Sequence, residues 1–114
     1  MKETEIQGSI IDYLSYRRNL IFQRTNNIPV PKGSKNGKLI FRSLPKGSKK
    51  GWPDITLCYR GRFVGLEVKR PNGSQSIDQK NVEKEIKASG GHYFLVTSVE
   101  ETIKVFEELD KIEN

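Results

Sequence analysis

Twenty residues, Gly51–Arg70 (GWPDITLCYRGRFVGLEVKR), constrain the fold of this chain more than any other stretch. Ile55–Tyr59 and Arg62–Val68 are short runs rich in β-branched and aromatic residues, separated only by Arg60-Gly61. That pattern predicts a hairpin closed by a two-residue turn. In this register Tyr59 faces Arg62 and Asp54 faces Glu67, with directly opposed Cβ atoms ~5 Å apart. Alternation along the strand puts Lys69 on the face of Glu67 and Asp54, while Ile55, Leu57, Val64, Leu66 and Val68 point the other way. Two acids and a lysine are thereby expected at one end of a hairpin.

Two close carboxylates repel unless a proton or a cation lies between them. All-oxygen ligands suit a hard cation, magnesium or manganese. Such a metal polarises a phosphate and lowers the pKa of a bound water. A lysine beside it can hold that water or steady the charge of the transition state. An ordinary surface hairpin with an acid–base pair accounts for the same spacing.

A chain of 114 residues supports one domain around one core. Its net charge of +6 is unevenly placed. Lys32, Lys35, Lys38, Arg42, Lys46, Lys49 and Lys50 fall in a stretch, Ile28 to Gly51, that holds no acid. Such asymmetry suits a polyanionic partner, and it equally suits a solubilising surface. The single Cys58 excludes an internal disulfide, and no Cys/His cluster offers a zinc site. With no apolar signal stretch and no run of membrane-spanning length, the chain is expected to be cytoplasmic and without a membrane partner.

Glu3–Asn19 is predicted to be an amphipathic helix with Ile6, Ile10, Tyr13 and Leu14 in one stripe. Glu3 borders that stripe, Gln7 lies one turn on, and Glu5 points to solvent. Glu3 at a helix N-terminus is at least favourable with the helix dipole. Leu20–Arg24 and Leu39-Ile40-Phe41 are strand candidates. The second lies between two basic loops, Pro31–Gly37 and Pro45–Gly51, expected to be mobile, whose glycines would allow close approach to phosphate. Ser76-Ile77-Asp78-Gln79 matches a capping box, so Gln79 has a structural role at the start of a helix that runs to about Ala88. Tyr93–Thr97 is then a buried strand, and an acidic last helix passes through Val105, Phe106 and Leu109. His92, at a helix–strand junction, is read as structural or close to nucleic acid.

Pro53-Asp54 followed by Glu67-x-Lys69 resembles the PD-(D/E)XK nuclease superfamily. The longer pattern KKGWPDI…LEVKRPNGSQSIDQKNVEKEIKASGGHYFLVTS is similar to the virus-type replication-repair nuclease (VRR-NUC) family, and the likeness runs from the first helix to the last strand. The resemblance implies an α/β, restriction-endonuclease-like core with a central mixed sheet flanked by helices. It implies a magnesium- or manganese-dependent DNA endonuclease acting on branched or junction DNA, often as a homodimer. A first-helix glutamate reaching the metal centre makes Glu3 the candidate over Glu5, and a glutamine near the catalytic lysine gives Gln79 a second role.

The expected site on this reading is Asp54 and Glu67 holding the metal, with the Val68 carbonyl as a backbone ligand and Glu3 completing the shell. Lys69 would orient the attacking water. Lys32, Lys35, Lys46, Lys49, Lys50 and Arg70 would meet the DNA backbone. The alternative is a nucleic-acid-binding module whose acids are structural and which cuts nothing.

Overall fold

The computed structural model describes residues 1–25, 31–41 and 45–112, without the side chains of 31, 32 and 39–41. The elements are α1 (Glu3–Tyr16), β1 (Leu20–Arg24), β2 (Pro31–Lys35), β3 (Lys38–Phe41), β4 (Ile55–Tyr59), β5 (Arg62–Val68), α2 (Ile77–Ala88), β6 (His92–Val96) and α3 (Val99–Asp110). β1, β4, β5 and β6 form a mixed four-stranded sheet in that order, while β2 and β3 pair only with each other. The chain is an α/β protein with helices on both faces of this sheet. Among the described residues no helix is long and apolar enough to cross a membrane.

The hairpin of β4 and β5 has the expected register, from Ile55 opposite Leu66 to Tyr59 opposite Arg62. Its turn residues Arg60 and Gly61 have φ of 51° and 83°, the double positive φ that a tight primed turn requires. Alternation then sorts the side chains between two layers. Ile55, Leu57, Tyr59, Val64, Leu66 and Val68 pack against Ile6, Ile10 and Leu14 of α1 and Val105, Phe106 and Leu109 of α3. On the other face Val82 and Ile86 of α2 close over Tyr93 and Trp52. The parallel pair is β5 with β6, Val64 opposite His92 through Val68 opposite Val96, joined through α2.

Two expectations need correction. The first helix stops at Tyr16 rather than Asn19, because Arg17 is extended at φ −82° and ψ 150°, and Asn19, left-handed at φ 66°, turns the chain into β1. Pro31–Gly37 is not a mobile loop. It is β2 and an Asn36-Gly37 turn, with φ of 54° and 76°, leading into β3. Asn-Gly between strand formers is a strong hairpin signal, here obscured by the surrounding lysines and glycines. Asn26–Val30 and Arg42 lie outside the described residues.

Candidate active site

Pro53-Asp54 is held from three sides at the end of the sheet. Thr25, just past β1, donates its N–H to the Asp54 carbonyl at 2.8 Å and its hydroxyl to the Pro53 carbonyl at 3.0 Å. Pro53 is buried over Gly65 of β5, where an added Cβ would lie 2.7 Å from the proline ring. Gly51, at φ +87°, lies against the backbone of Asp78 and Gln79, where an added Cβ would come within 2.6 Å. These two glycines bring Pro53-Asp54 against both the sheet and the start of α2.

The Asp54 side chain then turns onto β5, and its Oδ2 accepts the Val68 N–H at 2.8 Å. Glu67 beside it is 1% exposed. Its Oε2 accepts from the Gln79 side-chain amide at 2.7 Å and lies 3.6 Å from the Lys69 ammonium. Its Oε1 is buried with no hydrogen-bond partner. Lys69 is fixed through its backbone, whose N–H donates to the Val96 carbonyl at 3.0 Å. The structure thus brings together Asp54, Glu67, Lys69 and Gln79, with the Val68 amide at their centre.

Both acids resist ionisation. Burial raises Asp54 above the usual carboxylate range, against the Val68 N–H that favours its charge, and the Glu3 charge adds to the rise. Glu67 is pushed up to about 8, first by burial and then by the Asp54 charge, with Lys69 opposing. The pair therefore holds a proton near neutral pH. A buried like-charge pair with an orphaned oxygen is a site that a hard cation stabilises as well as a proton does. The donor set fits magnesium or manganese: two carboxylates, with water and substrate oxygens completing the shell.

Other expected residues stand farther out. Glu3 is half-buried and acts on Asp54 through its charge, whereas Glu5 is exposed. Among the described residues no three His, Cys, Asp or Glu side chains converge as a metal cluster, so Glu3 is near the acid pair without joining it. Arg70 is exposed, its carbonyl accepting the Gly73 N–H in a turn. Lys35 and Lys46 are exposed, and the Lys32 side chain lies outside what is described. Lys49 pairs with Glu85 at 3.1 Å and Lys50 with Asp78 at 3.6 Å, so this part of the 45–51 loop lies along α2.

Sequence reading missed Thr25, which looked like one more polar residue after a strand. Gly65 carried a usable signal, since a glycine inside a strand marks a close approach of another group. Gln7 also stands out. It is 5% exposed with its Oε1 unpartnered, on the face of α1 that carries Glu3.

Compared with models of protein families, with curated proteins and with solved structures, the chain finds no match in any of the three. Its function is therefore argued from its own residues and their geometry.

Proposed function

We propose that this chain is a metal-dependent endonuclease that hydrolyses DNA phosphodiesters, built on a restriction-endonuclease-like core of the VRR-NUC type. The observation that carries the reading is the half-buried Asp54 beside the buried Glu67, whose Oε1 no donor reaches, with the Lys69 ammonium 3.6 Å from Glu67. Asp54 and Glu67 would hold magnesium or manganese, with the Val68 carbonyl and Glu3 as the further donors that the family resemblance implies. Once bound, the metal supplies Lewis acidity and an activated water.

The protein's own groups divide the remaining tasks. Gln79 fixes the Glu67 carboxylate through Oε2 and leaves Oε1 facing inward. The Val68 N–H orients Asp54. Lys69, 13% exposed and tethered to β6, holds the attacking water and steadies charge developing on the phosphate. Branched DNA is the expected substrate, selected by shape, because phosphate contacts give affinity without sequence readout. Homodimer formation agrees with an uncovered apolar row, Ile21, Cys58 and Phe63, aligned across β1, β4 and β5.

The test is cleavage of labelled branched and linear DNA with magnesium, with manganese and with neither. Asp54→Asn and Glu67→Gln are each expected to abolish cutting, and Asp54→Asn, which removes a charge that repels phosphate, should bind DNA at least as well as the parent. A second reading, a binding module that cuts nothing, is favoured by one observation. Among the described residues, no third acid joins the pair. Binding without cutting in either metal would establish that reading instead.

A further inference from the structure

Among the described residues the ribbon of β2 and β3 stands apart from the four-stranded sheet. Residues 33–38 are all exposed, and the two strands pair with no other strand. An isolated two-stranded hairpin is marginal in water. This one carries a further cost at its tip, where Lys35 directly faces Lys38. Like charges directly opposed weaken a hairpin. Neither lysine takes part in an ion pair among the described residues. Gly33, Ser34, Asn36 and Gly37 leave the rest of the tip slender and uncharged.

Thr25, the last described residue before the ribbon, lies at the candidate site. The ribbon is inserted between β1 and β4, whose adjoining ends pair Arg24 with Ile55, and Thr25 is bonded to Asp54. The chain is elongated for its length. The radius of gyration is 15.7 Å, against about 13 Å for a compact chain of this length. The longest axis is 56 Å beside 32 and 25 Å.

We infer that this ribbon is an arm that enters the major groove of duplex DNA, with Lys35 and Lys38 each taking a phosphate on the groove rims. Two strands about 5 Å apart fit a groove about 12 Å wide that accepts such ribbons. The five residues of β2 reach about 17 Å, half a helical turn of duplex, and the four of β3 slightly less. The inference rests on DNA as the substrate of the proposed nuclease. It adds a duplex-holding element that is separate from the acid pair. An acidic protein would meet the same charge, but it would not need the slender tip or its insertion after Thr25.

The experiment is binding of the full chain, in EDTA so that nothing is cut, to a duplex several helical turns long across a series of salt concentrations. Lys35→Ser with Lys38→Ser should weaken binding and flatten the slope of log affinity against log salt by about 1.8, two phosphates' worth. Lys35→Arg with Lys38→Arg should keep both. A major-groove dye such as methyl green should compete with the parent, and distamycin in the minor groove should not. An unchanged slope in the serine variant overturns the inference, as does competition by distamycin alone or equal binding to polyglutamate. The cutting assay is read separately. An intact salt effect in a chain that cuts nothing sinks the nuclease reading and keeps the arm, and the reverse result sinks the arm alone.

Discussion

The Gln79 side-chain amide donates to Glu67 Oε2 across 2.7 Å, while its Oε1 accepts the backbone N–H of Ser76 at 2.8 Å. One carboxamide therefore closes the capping box of α2 and orients the buried acid of the candidate site. The expected capping role is present, the second contact is with Glu67, and the two can be separated. Gln79→Glu keeps an acceptor for Ser76, and glutamate is itself a capping-box residue. It replaces the donor to Glu67 with a second acid. Gln79→Ala loses both bonds, at about 1 kcal/mol for each net hydrogen bond. We expect Gln79→Glu to melt closer to the parent than Gln79→Ala in a thermal scan below pH 6, yet to lose cutting at least as completely. Parent-like cutting by Gln79→Glu would remove Gln79 from the site.

Glu67 gives the metal-free protein a signed pH dependence. Its folded-state pKa, about 8, lies above its ordinary value of 4.5. The folded state therefore holds a proton that the unfolded state gives up. The associated stability is complete below pH 4.5 and is lost as pH rises through about 8. Chemical denaturation in EDTA should show stability falling across that window, and Glu67→Gln should flatten the curve. Magnesium must displace the proton, so its affinity should rise about tenfold per pH unit below 8 if one proton leaves. Calorimetry in buffers of different ionisation enthalpy reads the released proton directly. No proton release would mean that the pair is not where the metal binds.

Asp54, Glu67 and Lys69 were legible because strand alternation and a two-residue turn fix which side chains share a face, and the register followed from Arg60-Gly61 alone. The capping box placed α2 with equal directness, since Ser76 and Gln79 satisfy backbone groups locally. The contact of Gln79 with Glu67 was not legible from spacing, because it depends on how α2 packs across β5. Gly51 and Gly65 set that approach by what their missing side chains allow. In the ribbon β3 was legible from Leu39-Ile40-Phe41, whereas β2 was not, because lysine and glycine dominate its composition, although Asn36-Gly37 marks the turn. Glu3 was placed on the correct edge of its helix by periodicity, but its distance from Asp54 is a tertiary property that no helical wheel contains.

Glu3 and Glu5 provide a matched comparison on one helix. Glu3 is half-buried and contributes to the raised pKa of Asp54, whereas Glu5 is exposed. Glu3→Gln removes a negative charge that helps attract a cation, so magnesium affinity should fall and cutting with it. Glu5→Gln should leave both unchanged, with stability within about 0.5 kcal/mol as for most surface substitutions. Magnesium titration of both variants decides the matter, and equal affinities would reduce Glu3 to a partner of the helix dipole.

Gly65 tests whether Pro53 positions Asp54. An alanine there would place its Cβ 2.7 Å from the Pro53 ring, which has no flexible end to move away. Pro53 would have to shift and carry Asp54 with it. Overpacking of this kind costs about 1–3 kcal/mol. A displacement of a catalytic group by about 1 Å costs on the order of a hundredfold in rate. Gly8→Ala is the control, because nothing lies within 4 Å of its added Cβ and alanine favours a helix by about 0.5–1 kcal/mol. Gly65→Ala should lower both melting temperature and cutting, while Gly8→Ala raises the first and leaves the second. Parent-like cutting by Gly65→Ala would detach Pro53 from the placement of the acid.

Lys69 separates binding of the metal from use of it. Its ammonium lies 3.6 Å from Glu67 Oε2 and lowers the pKa of both acids. Lys69→Ala should therefore raise both values and make metal-free stability fall more steeply with pH. Magnesium displaces the proton in either protein, and loss of a nearby positive charge leaves the ionised pair holding it at least as tightly. The rate should nevertheless drop, because no other cation on the described residues is paired with Glu67. Removing one well-placed electrostatic group costs on the order of a hundredfold. Magnesium titration and single-turnover cutting of the same variant at pH 9 give the two readouts. Retained affinity with a rate near one per cent of the parent assigns Lys69 to the water or the transition state. A rate within about threefold of the parent excludes it from the chemistry, since that is far below the loss expected for such a group.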